Sequence, residues 1–213
     1  MIQSKEELRH YIECDLRSLN MFPLSQSAKM GGVLYPYQRW KLQIKLRKLE
    51  YRTYRMQGSR LGRVLLMFLY KRFESYCMKL GCEIPAGSFG PGLCLNHTHD
   101  VVVNGYTKIG SNCRINAGVN IGAFGKFGTA EDSSNNHNAP VIGDNVYIGP
   151  GAKIFGPITI GNNVAIGANA VVNKDVPENA TVVGIPGRIL ENKGSFNMIV
   201  YGDESKRPAE RNQ

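Results

Sequence analysis

The sequence is poor in cysteine and has no pair of cysteines at a spacing typical of metal binding. Its five cysteines are an odd number without a Cys-x-x-Cys pair, so neither a disulfide framework nor a zinc cluster is predicted. Long apolar runs are also missing, since the longest, Val64 to Tyr70, falls far below the roughly 20 residues that span a bilayer. The N-terminus lacks the apolar core of a signal peptide. These absences predict a soluble cytoplasmic protein with reduced thiols.

Acidic residues are scarce in the first part of the chain. Residues 1–80 hold 16 Lys and Arg against 6 Asp and Glu, whereas residues 81–213 hold 10 against 11. The excess of positive residues that gives the chain its net charge of +9 therefore lies entirely in the N-terminal region. Such a basic surface can attract nucleic acid, an anionic membrane or an anionic substrate, although a solvated helix face explains it more simply. We expect no nucleic-acid partner and leave open a peripheral membrane contact.

Residues 1–80 have the pattern of a helical region. Ser4 followed by Glu7 is a capping box, which predicts a first helix that ends near Leu19. Two more helices are predicted, one from Tyr37 to about residue 56 and one over residues 60–80, with glycines before and between them.

At Gly81 the pattern changes to a repeat with a period of six residues. Aliphatic residues recur at that spacing in two blocks: Val103, Ile109, Ile115 and Ile121, then Ile142, Ile148, Ile154, Ile160, Ile166 and Val172. A short flat strand can direct one aliphatic side chain inward, and a Gly or Asn with positive φ can then turn the chain. Coils of three such hexads would stack and bury the aliphatic column. An α-helix, with its period of 3.6, does not produce this pattern.

The repeat is interrupted once. Between Ile121 and Ile142 the period breaks for 21 positions, and the intervening residues are rich in glycine and asparagine. We expect residues 123–139 to form an extruded loop, of the kind that often serves as a lid or binding element.

The hexads resemble those of the hexapeptide-repeat acyltransferases. This resemblance implies a mainly β protein with a left-handed parallel β-helix over residues 81–192, preceded by the helical region 1–80 and followed by a tail, 193–213. It also implies a homotrimer with active sites between protomers.

A second resemblance concerns one histidine. The segment GLCLNH at 92–97, followed by VVV at 101–103, resembles the segment that carries the catalytic histidine in serine acetyltransferases and related polysaccharide O-acetyltransferases. It implies that His97 is a general base, which takes a proton from an acceptor hydroxyl during attack on a thioester and returns it to the departing sulfur. Histidine suits both steps because its ordinary pKa is about 6.5.

A carboxylate normally orients such a base. In serine acetyltransferases an upstream aspartate does so, and Glu83 is the nearest candidate here, one residue closer to His97 than the family spacing. Asp100 is the alternative, although a solvated turn explains that residue better.

Further positions match those that line the coenzyme A groove in these families. They are Gly122, Ala123, Gly149, Pro150, Gly151, Ala168, Lys174 and Arg188. The resemblance implies that small residues let the pantetheine arm lie against the coils, and that Lys174 or Arg188 meets the phosphates. Gly122 could donate its N–H to the oxyanion of the transition state. Repeat geometry alone would also explain each Gly and Ala, and no metal cofactor is expected.

The acceptor is predicted from the residues around His97. Serine recognition requires groups for both an ammonium and a carboxylate, yet Asn96 stands where the family has aspartate, and no Arg precedes His137 in the loop. We assign acceptor contacts to Asn96, Asp100 and His137. The short basic helical region then favours a sugar hydroxyl in surface-polysaccharide biosynthesis as the acceptor.

Other functions stay open, including acyl transfer to other acceptors. Serine O-acetylation in cysteine biosynthesis is the main alternative. A zinc hydratase would use His97, His99 and His137, which resembles the three-histidine site of β-helical carbonic anhydrases, although Asn96-His97 in an acyltransferase setting disfavours it. A non-catalytic scaffold would need the hexads alone.

Overall fold

The N-terminal region is helical. The computed structural model describes residues 2–20, 34–123, 138–190 and 194–209. In this part of the chain the α-helices are α1 (Lys5–Ser18), α2 (Leu34–Met56) and α3 (Arg60–Lys79). The capping box is confirmed, because the Ser4 side chain accepts from the Glu7 N–H while the Glu7 carboxylate accepts from the Ser4 N–H. The helix α2 begins at Leu34, earlier than the predicted Tyr37. Of the helices described, none is both long and apolar enough to cross a membrane.

Residues 82–190 form a β-helix of short strands in three sheets. The strands are β1 (Cys82–Glu83), β2 (Cys94–Leu95), β3 (Val101–Val103), β4 (Lys108–Ile109), β5 (Arg114–Ile115), β6 (Asn120–Gly122), β7 (Val141–Ile142), β8 (Tyr147–Ile148), β9 (Lys153–Phe155), β10 (Thr159–Ile160), β11 (Ala165–Ile166), β12 (Val171–Val172), β13 (Thr181–Val183) and β14 (Arg188–Leu190). Sheet A has the order β1-β3-β6-β9-β12, sheet B has β10-β7-β4, and sheet C has β14-β13-β11-β8-β5-β2. From β2 to β12 consecutive strands belong to sheets C, A and B in turn. Each round of three strands is therefore one triangular coil, which confirms the predicted solenoid.

The strand register gives the length of a coil. Ile148 pairs with Ile166 and Ile154 pairs with Val172, so one coil takes 18 residues, which is three hexads. Ile115 pairs with Ile148 across 33 positions, so 15 additional residues (33 − 18) leave the coil between β6 and β7. The predicted loop begins at this point, but residues 124–137 lie outside the described part of the chain.

One corner column is built from asparagines. Asn112, Asn145, Asn163 and Asn179 have φ between 56° and 60°, as the sequence predicted for corner residues. Each side-chain amide donates to the side-chain oxygen of the next one, at distances of 2.9, 2.9 and 3.0 Å. This ladder runs along the corner between sheets B and C and satisfies amides that the coil buries.

The C-terminal tail lies along the same corner. The Asp203 N–H donates to the Asn112 side chain at 2.8 Å, and the Asn112 amide donates to the Asp203 carbonyl at 2.9 Å. One coil further along, the Asn145 amide donates to the Lys206 carbonyl at 2.7 Å. A short 3-10 helix, Glu204–Lys206, ends this contact.

A buried arginine joins the helices to the first coil. Arg47 on α2 is fully buried, and its Nε donates to the Asp15 carboxylate on α1 at 2.8 Å. Its Nη1 lies 3.2 Å from the Glu50 carboxylate, and its two Nη atoms donate to the carbonyls of Phe89 and Gly90 at 2.9 and 2.6 Å. Burial raises the pKa of Asp15, and the charge of Arg47 opposes that rise. Part of the N-terminal positive charge is therefore internal.

One apolar core extends across the helices and the coils. Leu42, Leu46, Leu49, Phe73 and Cys77 of α2 and α3 belong to the same buried cluster as the inward aliphatic column of the β-helix. The division into domains at residues 80 and 192 stays a prediction, because the core itself does not end at the first of these boundaries.

Replacing Arg47 with methionine tests this joint. Arg47→Met keeps much of the side-chain volume but leaves two buried carboxylates without their cation, so we expect a loss of about 3–5 kcal/mol in the free energy of unfolding. Urea denaturation followed by circular dichroism measures it. Arg207→Met is the control, since its ion pair with Glu204 is exposed and should be worth about 0–1 kcal/mol. Equal losses in both variants would contradict the assignment.

Candidate active site

His97 lies at a corner of the β-helix that is longer than the corner stacked on it. Leu95 pairs with Ile115 across sheet C, and Val102 pairs with Asn120 across sheet A. The chain takes seven positions from 95 to 102 but only five from 115 to 120. Two residues of this corner therefore have no counterpart in the next coil.

Backbone hydrogen bonds fix one end of this insertion. The Asn96 N–H donates to the Ile115 carbonyl at 2.9 Å, just as the Asn116 N–H donates to the Ile148 carbonyl at 3.2 Å one coil later. Asn96 and Asn116 therefore occupy equivalent positions, and the additional residues follow Asn96.

The other end is fixed in the same way. The Gly118 N–H donates to the His99 carbonyl at 3.0 Å, and the Gly151 N–H donates to the Ala117 carbonyl at 2.8 Å. His99 and Ala117 are therefore equivalent, and the two additional residues are those at 97 and 98.

The two inserted side chains differ in their exposure to solvent. Thr98 is buried, whereas the His97 imidazole is exposed at the surface of the corner. Residues added to a regular strand ladder redirect side chains and recur next to active sites. The sequence signal for this insertion is the spacing of eight between the inward residues Leu95 and Val103, where the repeat has six.

The residue before His97 is held from two sides. The Asn96 side-chain amide donates to Asn116 Oδ1 at 2.9 Å, and the Asn116 amide donates to the Ile148 carbonyl at 2.8 Å. From α2, Arg39 Nη1 donates to the Asn96 carbonyl and lies 3.5 Å from Asn96 Oδ1. The backbone that enters the insertion is thus fixed by a cation and an amide, neither of which the sequence analysis had assigned to the site.

The two carboxylates predicted near His97 lie on or beside its corner. Glu83 is exposed on β1 and pairs with Val102, the second residue of the strand that follows the corner. Asp100 is exposed with a φ of 58°, and its N–H donates to the Gly81 carbonyl at 2.7 Å. Orientation of the imidazole by Glu83 and an acceptor contact by Asp100 both stay predictions.

The predicted coenzyme A residues fall into three groups. Gly149, Pro150, Gly151 and Ala168 lie on the corner between sheets C and A, in the coils stacked beyond His97. Across sheet A, Gly122 is the last residue of β6, and Ala123 and Lys174 follow strands of sheet A on the side of sheet B. Arg188 lies on β14 of sheet C, opposite Val183. The structure therefore brings the first group into line with His97 and sets the second group on the opposite edge of sheet A.

Two of these glycines are required by the fold itself. A Cβ on Gly149 would lie 2.7 Å from the Ala168 nitrogen in the next coil, and Gly151 has a φ of 74°. At Gly122 the nearest atom to an added Cβ is the Phe155 Cβ at 3.9 Å, an ordinary contact. Repeat geometry thus explains Gly149 and Gly151, while it leaves room for a side chain at Gly122.

The sheet A surface beside the corner carries a lysine that the sequence analysis did not single out. Lys153 pairs with Asn120 in the outward register, and its Nζ donates to the Gly118 carbonyl at 2.7 Å. It places a positive charge beside Gly118, the residue that is equivalent to Asp100 in the next coil.

The cysteine nearest this corner is not suited to act as a nucleophile. Cys94 is buried on β2, and burial raises the pKa of its thiol to about 11, although the charges of Arg114 and Arg39 act in the opposite direction. At neutral pH the thiol is protonated, so the corner offers acid–base chemistry through an imidazole rather than thiolate chemistry.

The sequence analysis considered two more histidines for this site, His99 and His137. His99 is exposed on the same corner, where its carbonyl accepts the bond from Gly118. His137, predicted to contact the acceptor, lies outside the described residues.

Known proteins resemble this chain in both sequence and structure. The family model of the bacterial transferase hexapeptide (six repeats) matches residues 139–174. A serine acetyltransferase of Synechococcus elongatus is 43% identical over 115 residues, which cover 54% of this chain and 44% of that protein. This chain spans about half the length of the curated relatives it matches.

Two solved structures extend the likeness to the helices. The serine acetyltransferase of Brucella abortus superposes with a TM-score of 0.67 and 30% identity, covering 89% of this chain and 71% of that one. The serine acetyltransferase of Neisseria gonorrhoeae in complex with serine gives a TM-score of 0.64 and 28% identity, with coverage of 88% and 70%. These neighbours identify the β-helix as left-handed, as the sequence resemblance implied.

The prediction of a sugar acceptor in surface-polysaccharide biosynthesis is wrong. The relatives that match at 43–45% identity are named serine acetyltransferases. The prediction depended on missing serine-binding residues and on a short helical region, but a solved serine acetyltransferase aligns with 89% of this chain, helices included.

The hexad repeat, the corner insertion that carries His97 and the structural match thus agree. At 30% identity over 71% of the Brucella abortus protein, the match is extensive enough to settle the family. The chain belongs to the hexapeptide-repeat acyltransferases and is serine acetyltransferase-like.

Proposed function

We propose that this chain transfers the acetyl group of acetyl-CoA to the hydroxyl of serine, with His97 as the general base. The observation that carries the proposal is the two-residue insertion that exposes the His97 imidazole, in a chain with 43% identity over 115 residues to a serine acetyltransferase. Serine bound to the Neisseria gonorrhoeae neighbour supports the choice of acceptor.

In the proposed reaction the base acts twice. His97 removes the hydroxyl proton as the serine oxygen attacks the thioester carbonyl, and a tetrahedral oxyanion forms. The oxyanion collapses, the carbon–sulfur bond breaks, and the imidazolium returns the proton to the sulfur. The products are O-acetylserine and free coenzyme A, and the imidazole is regenerated.

Residues on or beside the corner assist this base. Glu83, exposed beside Val102, is the proposed carboxylate that orients the imidazole and stabilises its charged form. Asp100 is the proposed partner of the serine ammonium group, and Asn96 and His137 complete the acceptor contacts. Arg39 acts indirectly, through its hydrogen bond to the Asn96 carbonyl.

The proposed path of acetyl-CoA follows sheet A. Parallel strands lie about 4.8 Å apart, so β3 and β12 are separated by three steps, or about 14 Å. The thioester would lie at the His97 corner, and the arm would pass the stacked Gly149, Pro150, Gly151 and Ala168 on the same edge of sheet A. Gly122, Ala123 and Lys174 lie on the opposite edge, so in this proposal they join the groove from a neighbouring protomer, with the Gly122 N–H as an oxyanion donor. The phosphates would reach Lys174 and Arg188, which are exposed.

A second protomer is part of the proposal. His97, Pro150 and Ala168 are all exposed on the single chain, so the groove has one wall. Self-association would provide the other wall. We propose a cytoplasmic homotrimer with active sites between protomers.

The proposed reaction is tested by incubating the protein with acetyl-CoA and serine and following thiol release. His97→Ala should lower turnover by a factor of about 10² to 10⁴ with unchanged circular dichroism, because the general base is lost. His99→Ala, an exposed histidine on the same corner, is the matched control and should keep wild-type turnover. Near-normal activity of His97→Ala would remove it from the mechanism, and no turnover with serine by the folded protein would reject the acceptor.

The basic helical region presents an apolar stripe on α3. Leu61, Val64, Leu65 and Phe68 are 79%, 61%, 42% and 56% exposed, and their spacing of i, i+3, i+4 and i+7 places them on one helix face. The helix also contains Arg60, Arg63, Lys71, Arg72 and Lys79 against the single acid Glu74. Exposed apolar residues flanked by cations are typical of helices that lie on an anionic membrane surface. We propose such a peripheral contact for α3.

Vesicle co-sedimentation tests this contact. The protein should bind phosphatidylglycerol vesicles more tightly than phosphatidylcholine vesicles, and added salt should weaken the binding. The double variant Leu61→Ser/Phe68→Ser should bind about tenfold or more weakly, since two apolar side chains no longer insert. Met78→Ser, exposed on α3 away from the stripe, is the control. The contact is rejected if wild type does not bind, or if the double variant instead changes the mass of the assembly in solution.

A further inference from the structure

Three side chains from opposite ends of the chain meet between α1 and the C-terminal tail. His10 and Cys14 are one helical turn apart on α1, and Asp203 comes from the tail. One potential ligand atom from each lies within 4.8 Å of the other two. The absence of a Cys-x-x-Cys pair concealed this cluster from the sequence, because its members are up to 193 positions apart (203 − 10).

The separations suit a common metal ion. Cys14 Sγ lies 3.7 Å from both ring nitrogens of His10. A sulfur at about 2.3 Å and a nitrogen at about 2.0 Å from the same tetrahedral zinc ion are about 3.5 Å apart. The helix therefore holds this pair close to the separation that a bound zinc ion requires, and rotation of the exposed His10 side chain would turn one ring nitrogen toward the ion.

The third ligand is held in place by its own contacts. Asp203 Oδ1 accepts from the Ser205 N–H at 3.1 Å and from the Ser205 hydroxyl at 2.7 Å. The Asp203 backbone is fixed at both its N–H and its carbonyl by the Asn112 side chain, at 2.8 and 2.9 Å. Hydrogen bonds of this kind orient the ligands of metal sites.

The tail approaches α1 closely at this point. A Cβ on Gly202 would lie 2.0 Å from the Cys14 carbonyl, so only glycine allows the contact that brings Asp203 to the helix. Cys14 and Asp203 are buried, while His10 is exposed and leaves a route for an ion to enter. A divalent cation would stabilise both the thiolate and the carboxylate.

We propose that His10, Cys14 and Asp203 bind a zinc ion that ties the C-terminal tail to the first helix. On binding, the Cys14 thiol releases its proton to solvent and the thiolate coordinates the metal. A set of thiolate, imidazole and carboxylate ligands suits zinc and is unlike the all-oxygen sites of magnesium and calcium. The site includes neither His97 nor any other residue of the proposed acetyl transfer, so it does not depend on that function.

Zinc titration of the untagged full chain, stripped of metal with a chelator, tests the site. Competition with a chromophoric chelator should show one zinc ion per chain, and cobalt in its place should give a thiolate-to-cobalt charge-transfer band. His10→Ala changes an exposed side chain and should leave the fold intact, while zinc affinity falls about 100-fold or more. Cys14→Ser should remove the charge-transfer band, and His99→Ala is the control that should keep full affinity.

Thermal unfolding gives a second readout. Zinc should raise the melting temperature of the wild type and of His99→Ala, but not that of His10→Ala, because only an intact site binds the folded state preferentially. The proposal is overturned if the wild type shows no stoichiometric binding, if the cobalt complex lacks the thiolate band, or if His10→Ala binds zinc as tightly as the wild type.

Discussion

The stacking of 18-residue coils, each strand paired with the strands above and below it, is the constraint on which the rest of this structure depends. Any residue beyond that number must leave the coil at a corner. Among the described strands the register is longer than 18 residues in two places, by two residues at the corner before β3 and by 15 between β6 and β7. Both corners flank sheet A. Because the coils are otherwise regular, both insertions lie along the edges of sheet A, and the candidate catalytic residues lie there with them.

The helix α2 connects the interior joint to the candidate active site. Arg47 fixes the helix to α1 and to the first coil through buried carboxylates and carbonyls. Arg39 lies eight residues earlier on the same helix, about 12 Å along its axis, and bonds the Asn96 carbonyl. A rigid helix anchored at Arg47 thus also determines the position of the backbone next to His97. The helical region takes part in positioning the candidate site, although the charge pattern alone had suggested only a basic surface.

Sequence reasoning predicted the repeating parts well, and its limits have physical causes. The six-residue period predicted the coils because each inward position must be aliphatic, and Ser4 with Glu7 predicted the start of α1 because capping is local. The contacts of Arg47 with Asp15 and of Arg39 with Asn96 could not be predicted, since each joins residues more than 30 positions apart that share no periodicity. The corner insertion was indicated in the sequence by the spacing of eight residues between Leu95 and Val103, where the repeat has six. The acceptor was predicted wrongly because the absence of family residues, such as the aspartate that Asn96 replaces, was taken as evidence for a different acceptor.

We infer that residues 97 and 98 are added to a coil that is complete without them, and that they place the base. Deleting both residues and measuring acetyl transfer together with the melting temperature is the decisive experiment. We expect a folded protein whose melting temperature falls by only a few degrees, because the remaining corner matches that of the next coil, and whose acetyl transfer is lost. A deletion variant that unfolds, or one that folds and still transfers acetyl groups, would contradict it.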